Sequence, residues 1–132
     1  MASYCLDTDV LVNIIRGRQS PDFIMSVSAF GVSTTMINLM ELYYGAYKSG
    51  KSSDLALVDS LSKNLVIMQI SEEDVRLAGK IMAELDNKGQ KTDFRDVMIG
   101  SICINRNLIL ITRNMKHFNR MKIFGLSVSD AT

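Results

Sequence analysis

The chain is 132 residues long, 47% hydrophobic and 22% charged, with 8 Gly and 1 Pro, the size and make-up of one domain over residues 1–132 rather than of two. Fifteen Lys and Arg against fourteen Asp and Glu leave a net charge of +1, which excludes a basic protein that coats polyanions and confines any nucleic-acid contact to a local patch. No apolar run approaches the ~20 residues of a membrane span, and the opening MASYCLDTDV has neither the charged nor the apolar region of a signal peptide, so a soluble, cytoplasmic protein is expected. Cys5 and Cys103 each lie in an apolar stretch, where free Cys behaves as a small hydrophobe. Two thiols make no disulfide framework, and a reducing compartment follows.

Ser3 to Leu6 reads as a short strand that halts at Asp7-Thr8-Asp9, after which Val10, Leu11, Ile14 and Ile15 recur at helical spacing up to Gly17. A short helix is expected after Pro21, through Ile24 and Met25, then a strand near Gly31 to Ser33. Thr34 or Thr35 caps a helix from Met36 to about Lys48, and Ser53 or Asp54 caps another to Lys63. Leu65 to Met68 is an apolar run of strand length, and Ser71-Glu72-Glu73-Asp74 is a capping-box sequence opening a helix to Gly89. The next helix starts at Thr92 and continues to about Arg106. Leu108 to Ile111 reads as a strand buried on both faces, and the tail from Ile123 to Val128 as an edge strand. Strands alternating with helices give an α/β fold with a roughly five-stranded, mostly parallel sheet and helices on both faces.

In such sheets the ligand crevice lies beyond the carboxyl ends of the strands. Asp7 and Asp9 follow the first strand, and Thr112, Arg113 and Asn114 follow the last buried one, so both groups should face one crevice. In the segment from Met36 to Tyr47 only Asn38 and Glu41 are polar, which predicts a largely buried helix. A carboxylate there needs a cation, either a metal or an Arg or Lys partner, or else an exposed helix edge. Asp93 and Asp96 stand three apart at the start of another apolar helix, either in the crevice or as ordinary first-turn acids that cap it and complement its dipole. Two carboxylates about 4 Å apart repel by roughly 4 kcal/mol at an effective dielectric of 20, so several in one crevice call for Mg²⁺ or Mn²⁺. With His117 the only histidine, a His-rich zinc site and a Ser or Cys triad lack their parts.

Acidic metal clusters most often work on phosphate esters. Between Asp96 and Asp130 no acidic residue occurs, while Arg106, Arg113, Lys116, Arg120 and Lys122 do. Arg113, Lys116 and Arg120 are therefore candidates to hold a polyanion backbone, with Phe118 stacking on a base; the alternative is a solvated basic face.

LDTDVLVNIIRG, INLMELYYG, TDFRDVMIGSICI and LILITRNMKHF, in that order and spanning nearly the whole chain, resemble the PIN-domain ribonucleases, and among them the VapC-type toxins of VapBC toxin–antitoxin pairs. The resemblance implies an α/β/α sandwich that binds Mg²⁺ or Mn²⁺ and hydrolyses RNA phosphodiesters. Position by position, the family's first three acids fall on Asp7, Glu41 and Asp96, the expected metal ligands and catalytic residues. Thr112 would orient Asp7 or bound water through its hydroxyl, and Asp93 and Asn114 are supporting positions. Asn114 stands where many members carry a fourth acid, and Asp9 stands where Asn or Ser is common, as an additional ligand or, as we expect, a helix cap. The resemblance further implies a homodimer and a VapB-like antitoxin whose C-terminal segment covers the groove.

Other readings fit parts of the same residues. A PIN nuclease of RNA processing would have no antitoxin, and a binding module with a lapsed metal site is permitted by Asn114. Asp7-Thr8-Asp9-Val10 also fits the Asp-x-Asp signature of HAD-type phosphatases, although the loop after Ile111 is basic where that class needs acids.

Overall fold

The computed structural model describes residues 3–19, 22 and 31–131. Along the chain run β1 (Tyr4–Leu6), α1 (Thr8–Ile15), β2 (Val32–Thr35), α2 (Met36–Ser49), α3 (Ser52–Asn64), β3 (Val66–Met68), α4 (Glu72–Asn87), α5 (Phe94–Asn105), β4 (Ile109–Thr112), α6 (Met115–Phe118), a 3-10 helix (Asn119–Phe124) and β5 (Ser127–Asp130). The five strands form one sheet in the order β3-β2-β1-β4-β5, parallel at every pairing.

The pleat of the central strands divides the interior in two. Cys5 pairs with Leu110 and Leu6 with Ile111, and successive side chains point to opposite faces. Cys5 and Leu110 enter a core with Ile81, Leu85, Val97, Ile99 and Phe118 from α4, α5 and α6. Leu6 and Ile111 enter a second core with Val10, Leu11, Leu42 and Val58 from α1, α2 and α3. The result is an α/β/α sandwich in which each fully buried Leu, Ile or Phe contributes about 1.5–3 kcal/mol. Polar β2 is accommodated because its hydroxyls are used: Ser33 donates to the Tyr4 carbonyl at 3.0 Å and Thr34 to that of Leu6 at 2.8 Å.

Local signals set most boundaries. Ser71 and Asp74 form the expected capping box on α4, and Thr35 forms another with Asn38 on α2, which ends at left-handed Gly50. Several expectations need correction. The N-cap of α1 is Asp7, whose side chain accepts from the Thr8 N–H; Asp9 lies one residue inside the helix and does not cap it. Neither Ser53 nor Asp54 caps α3, which begins at Ser52 after Lys51 without a side-chain cap. Helix α5 begins at Phe94 rather than Thr92, and Asp93 caps it. Ile123 and Phe124 belong to the 3-10 helix, because left-handed Gly125 closes that turn and the edge strand starts only at Ser127. Helix α2 is less buried than its composition implies: Met36, Met40, Tyr44 and Tyr47 form an exposed stripe, the last 70% exposed. The helix expected through Ile24 and Met25 lies outside the described residues.

Candidate functional site

Parallel strands bring their carboxyl ends to one edge, and there β1 delivers Asp7, β2 runs into Thr35 and β4 ends on Thr112. Asp7 is buried, 7% exposed, and every donor around it comes from a different element. Thr112 Oγ1 donates to Asp7 Oδ2 at 2.7 Å, while Oδ1 accepts from Asn38 Nδ2 at 3.0 Å and from the Thr8 amide at 2.9 Å. Asn38 is held in turn: its Oδ1 accepts from the Thr35 hydroxyl at 2.7 Å, and its amide also reaches Thr8 Oγ1 at 3.0 Å. That hydroxyl donates to Glu41 Oε1 at 2.8 Å, so the first two acids are linked through Thr8 and Asn38.

Asp7, Thr8, Asp9, Glu41, Asp96, Arg113 and Asn114 line one open pocket of about 370 Å³. Its electrostatics carry the mark of crowding. Burial raises the carboxyl of Asp7 against the pull of its three donors. Burial and then the neighbouring Asp7 push Asp9 up to about 6. Glu41 and Asp96 are raised first by burial and further by Asp7, partly offset by Thr8 and Arg95 at Glu41 and by His117 at Asp96. Asp9 Oδ2 accepts from the Arg113 amide at 3.2 Å, whereas its buried Oδ1 has no hydrogen-bond partner. Such groups suit a hard cation with oxygen ligands. Among the described residues no three His, Cys, Asp or Glu side chains already form a group able to hold a metal ion. Glu41 is turned to Thr8, with Arg95 Nη1 at 3.7 Å from its other oxygen, and Asp96 Oδ2 is turned to His117 Nδ1 at 3.3 Å.

The remaining sequence candidates divide. Thr112 fixes Asp7 and also accepts from the Asn114 amide at 2.9 Å, which anchors the loop after β4. Asn114 lines the pocket and lies 3.2 Å from His117 Nδ1. Arg113 also lines it, and Lys116 is exposed on α6. Arg120 is directed elsewhere, donating to the Lys91 carbonyl at 2.8 Å and lying 3.4 Å from the Thr92 hydroxyl. Phe118 is fully buried in the core and offers no face to a base. Asp93 is not among the pocket-lining residues; it caps α5 and is gripped by Arg95, which lowers its carboxyl.

Three residues at the site escape the sequence reading. Asn38 shows only as one of two polar residues in an apolar helix, and its signal is the N3 position of a capping box that usually holds Glu or Gln. His117 meets Asp96 because α6 returns across the N-terminus of α5. Arg95 lies between two acids of interest and is locally indistinguishable from a helix-surface arginine.

The family model for the PIN domain matches residues 4–123. The tRNA(fMet)-specific endonuclease VapC of Salmonella typhimurium is 30% identical over 134 aligned positions that cover 98% of each chain. Among solved structures, DNA-bound VapBC from Salmonella typhimurium matches with a TM-score of 0.86 at 29% identity, covering all of both chains. VapBC2 from Rickettsia felis, bound to a DNA fragment from its promoter, matches with a TM-score of 0.85 at 26% identity, over 96% of this chain and 97% of that one.

Proposed function

This chain belongs to the PIN-domain family, and from that premise we propose that it is a divalent-metal-dependent endoribonuclease, the toxin of a VapBC-type pair. The observation that carries the reading is the gathering of Asp7, Asp9, Glu41 and Asp96 around one pocket at the carboxyl edge of a parallel sheet, with carboxyls raised by burial and by one another. An endonuclease relative at 30% identity over nearly the full length adds the substrate class, and the likeness to VapBC structures adds a VapB-like antitoxin as partner. A homodimer is part of the same proposal, as the family resemblance of the sequence implies. Among the described residues no helix is long and apolar enough to cross a membrane.

Asp7, Glu41 and Asp96 would hold Mg²⁺ or Mn²⁺, directly or through water. When bound, the cation would supply the charge that activates water and stabilises the leaving oxygen of the phosphodiester. The chain's own groups supply position. Thr112, Asn38 and the Thr8 amide fix both oxygens of Asp7, and Thr8 aims Glu41. Asn114 adds a neutral oxygen at the rim, and Arg113 and Lys116 offer charge to the RNA backbone. No covalent enzyme intermediate is required.

The purified chain should cleave a mixed RNA pool in Mg²⁺, stop in excess chelator and resume when Mg²⁺ or Mn²⁺ is restored. Asp7→Asn and Asp96→Asn should each abolish cleavage while the far-UV circular dichroism is unchanged. Chelator-resistant cleavage, or full activity in either variant, overturns the assignment.

A further inference from the structure

Resting on the nuclease reading, the geometry points to Arg95 as a substrate-binding residue that takes a backbone phosphate of the RNA at the rim of the acidic pocket, beside Glu41, with Asp93 as the residue that positions it. Arg95 sits in the first turn of α5, one residue before Asp96. Its Nε and Nη2 donate to Asp93 Oδ1 and Oδ2 at 3.1 and 2.7 Å, and its own backbone amide donates to Oδ1 at 2.9 Å. The cap carboxylate of the helix thus holds Arg95 at its backbone amide and along one edge of its guanidinium, and little side-chain freedom remains to be lost on binding.

A guanidinium carries five N–H donors in a fixed fork. Asp93 uses one edge of it. Nη1, on the other edge, stands 3.7 Å from Glu41 Oε2, within ion-pair range but beyond a hydrogen bond, and the side chain is 43% exposed. Its remaining donors are free to meet an anion. Four carboxylates around the pocket repel an approaching polyanion, so the substrate needs cations at the rim, and of the basic residues on the loop after β4 and beyond, Arg113 lines the pocket while Arg120 is committed to Lys91. Arg95 supplies a further positive charge on the Glu41 side, held in place by Asp93. Planar guanidinium is the group best matched to phosphate oxygens.

A competing role is an internal counter-ion for Glu41 that a divalent ion displaces. It is the weaker reading, because the contact to Glu41 is the longest Arg95 makes, while Glu41 takes its hydrogen bond from Thr8 at 2.8 Å.

Steady-state cleavage of a single-stranded RNA oligonucleotide in saturating Mg²⁺, across a series of KCl concentrations, separates the two for the wild-type chain, Arg95→Gln and Arg95→Lys. Arg95→Gln should raise KM about tenfold with kcat within about twofold, and reduce the slope of log KM against log salt by about 0.7, the share of one phosphate on a single strand. Arg95→Lys should keep the slope and raise KM by a smaller factor, which keeps the question open to experiment if the Gln variant folds poorly. Calorimetry of Mg²⁺ binding without RNA is the second readout, and its affinity should change by no more than a few-fold in Arg95→Gln. Unaltered KM and salt slope overturn the proposal. Unaltered KM with Mg²⁺ affinity raised more than tenfold assigns the guanidinium to Glu41 instead. A wild-type chain inert toward RNA in Mg²⁺ overturns the nuclease reading, and the role of Arg95 with it.

Discussion

Thr112 has two tasks on one hydroxyl: it donates to Asp7 Oδ2 at 2.7 Å and accepts from the Asn114 amide at 2.9 Å, wholly out of water. Valine has the same shape and can do neither. Thr112→Val should destabilise the chain by about 2 kcal/mol, the cost of leaving buried partners unmade, and lower Mg²⁺-dependent cleavage by about 10–100-fold, as losing a group that orients a metal ligand does. Urea midpoints and initial rates on RNA test both halves. Asp9 presents the opposite case, a carboxylate with one buried oxygen unpartnered and a like charge beside it. Asp9→Asn keeps an oxygen for the Arg113 amide and removes the charge, so the metal-free chain should melt higher at pH 7 while binding Mg²⁺ more weakly; a lower melting temperature would contradict the picture of a strained, charge-crowded pocket. The acids themselves are readable from sequence because each follows a strand end or interrupts an apolar helix. Asn38, Arg95 and His117 are not, since their roles come from which elements meet, and a capping Asn or a helix-surface Arg carries no local mark of that.

Elements are legible to the extent that their ends are set by nearby residues. The Ser71 and Asp74 box and left-handed Gly50 stop and start helices where the sequence places them, and the β1 and β4 runs are apolar because helices cover both faces. The exposed stripe of α2 is the counter-example: composition reports how apolar a helix is, and only packing decides which side is covered. Besides the apolar core they share, α4 and α5 are joined by a polar tie. Asp74 is fully buried at the start of α4 and accepts from Asn105 at 2.8 Å and from Arg106 at 3.0 and 3.1 Å, while Arg106 also donates to the Gln69 carbonyl. Burial alone raises the Asp74 carboxyl, but the hydrogen bonds from Arg106, Ser71 and Asn105 outweigh it and hold it at about 2. The unfolded chain therefore takes up this proton at a higher pH than the folded one, so the stabilisation is complete above about pH 4 and is lost as pH falls towards 2. Arg106→Met leaves Asp74 buried without its cation and should cost on the order of 3 kcal/mol at pH 7. Its loss of stability between pH 4 and pH 2 should be shallower than that of the wild type, as chemical denaturation at each pH will measure.

For the whole molecule, a net charge of +1 conceals a polar distribution. The two apolar cores flank the sheet, and the acids meet at its carboxyl edge, where each of Asp7, Asp9, Glu41 and Asp96 is harder to ionise than in water. At neutral pH the metal-free fold must hold these charges together, and unfolding releases them, so part of the energy gained in the cores is spent at the pocket. A divalent cation that binds the folded chain and not the unfolded one reverses this. At 100 times its dissociation constant it adds about 2.7 kcal/mol, which for a domain of this size raises the melting temperature by about 10 °C. Chelator-treated protein titrated with MgCl₂ should show that rise, and NaCl at matched ionic strength should give much less, because general screening does not need the pocket. Asp96→Asn should start from a higher melting temperature in chelator and gain little from Mg²⁺. If MgCl₂ and NaCl shift the wild-type chain equally, the acids form no cation site and the crowding at the sheet edge has another cause.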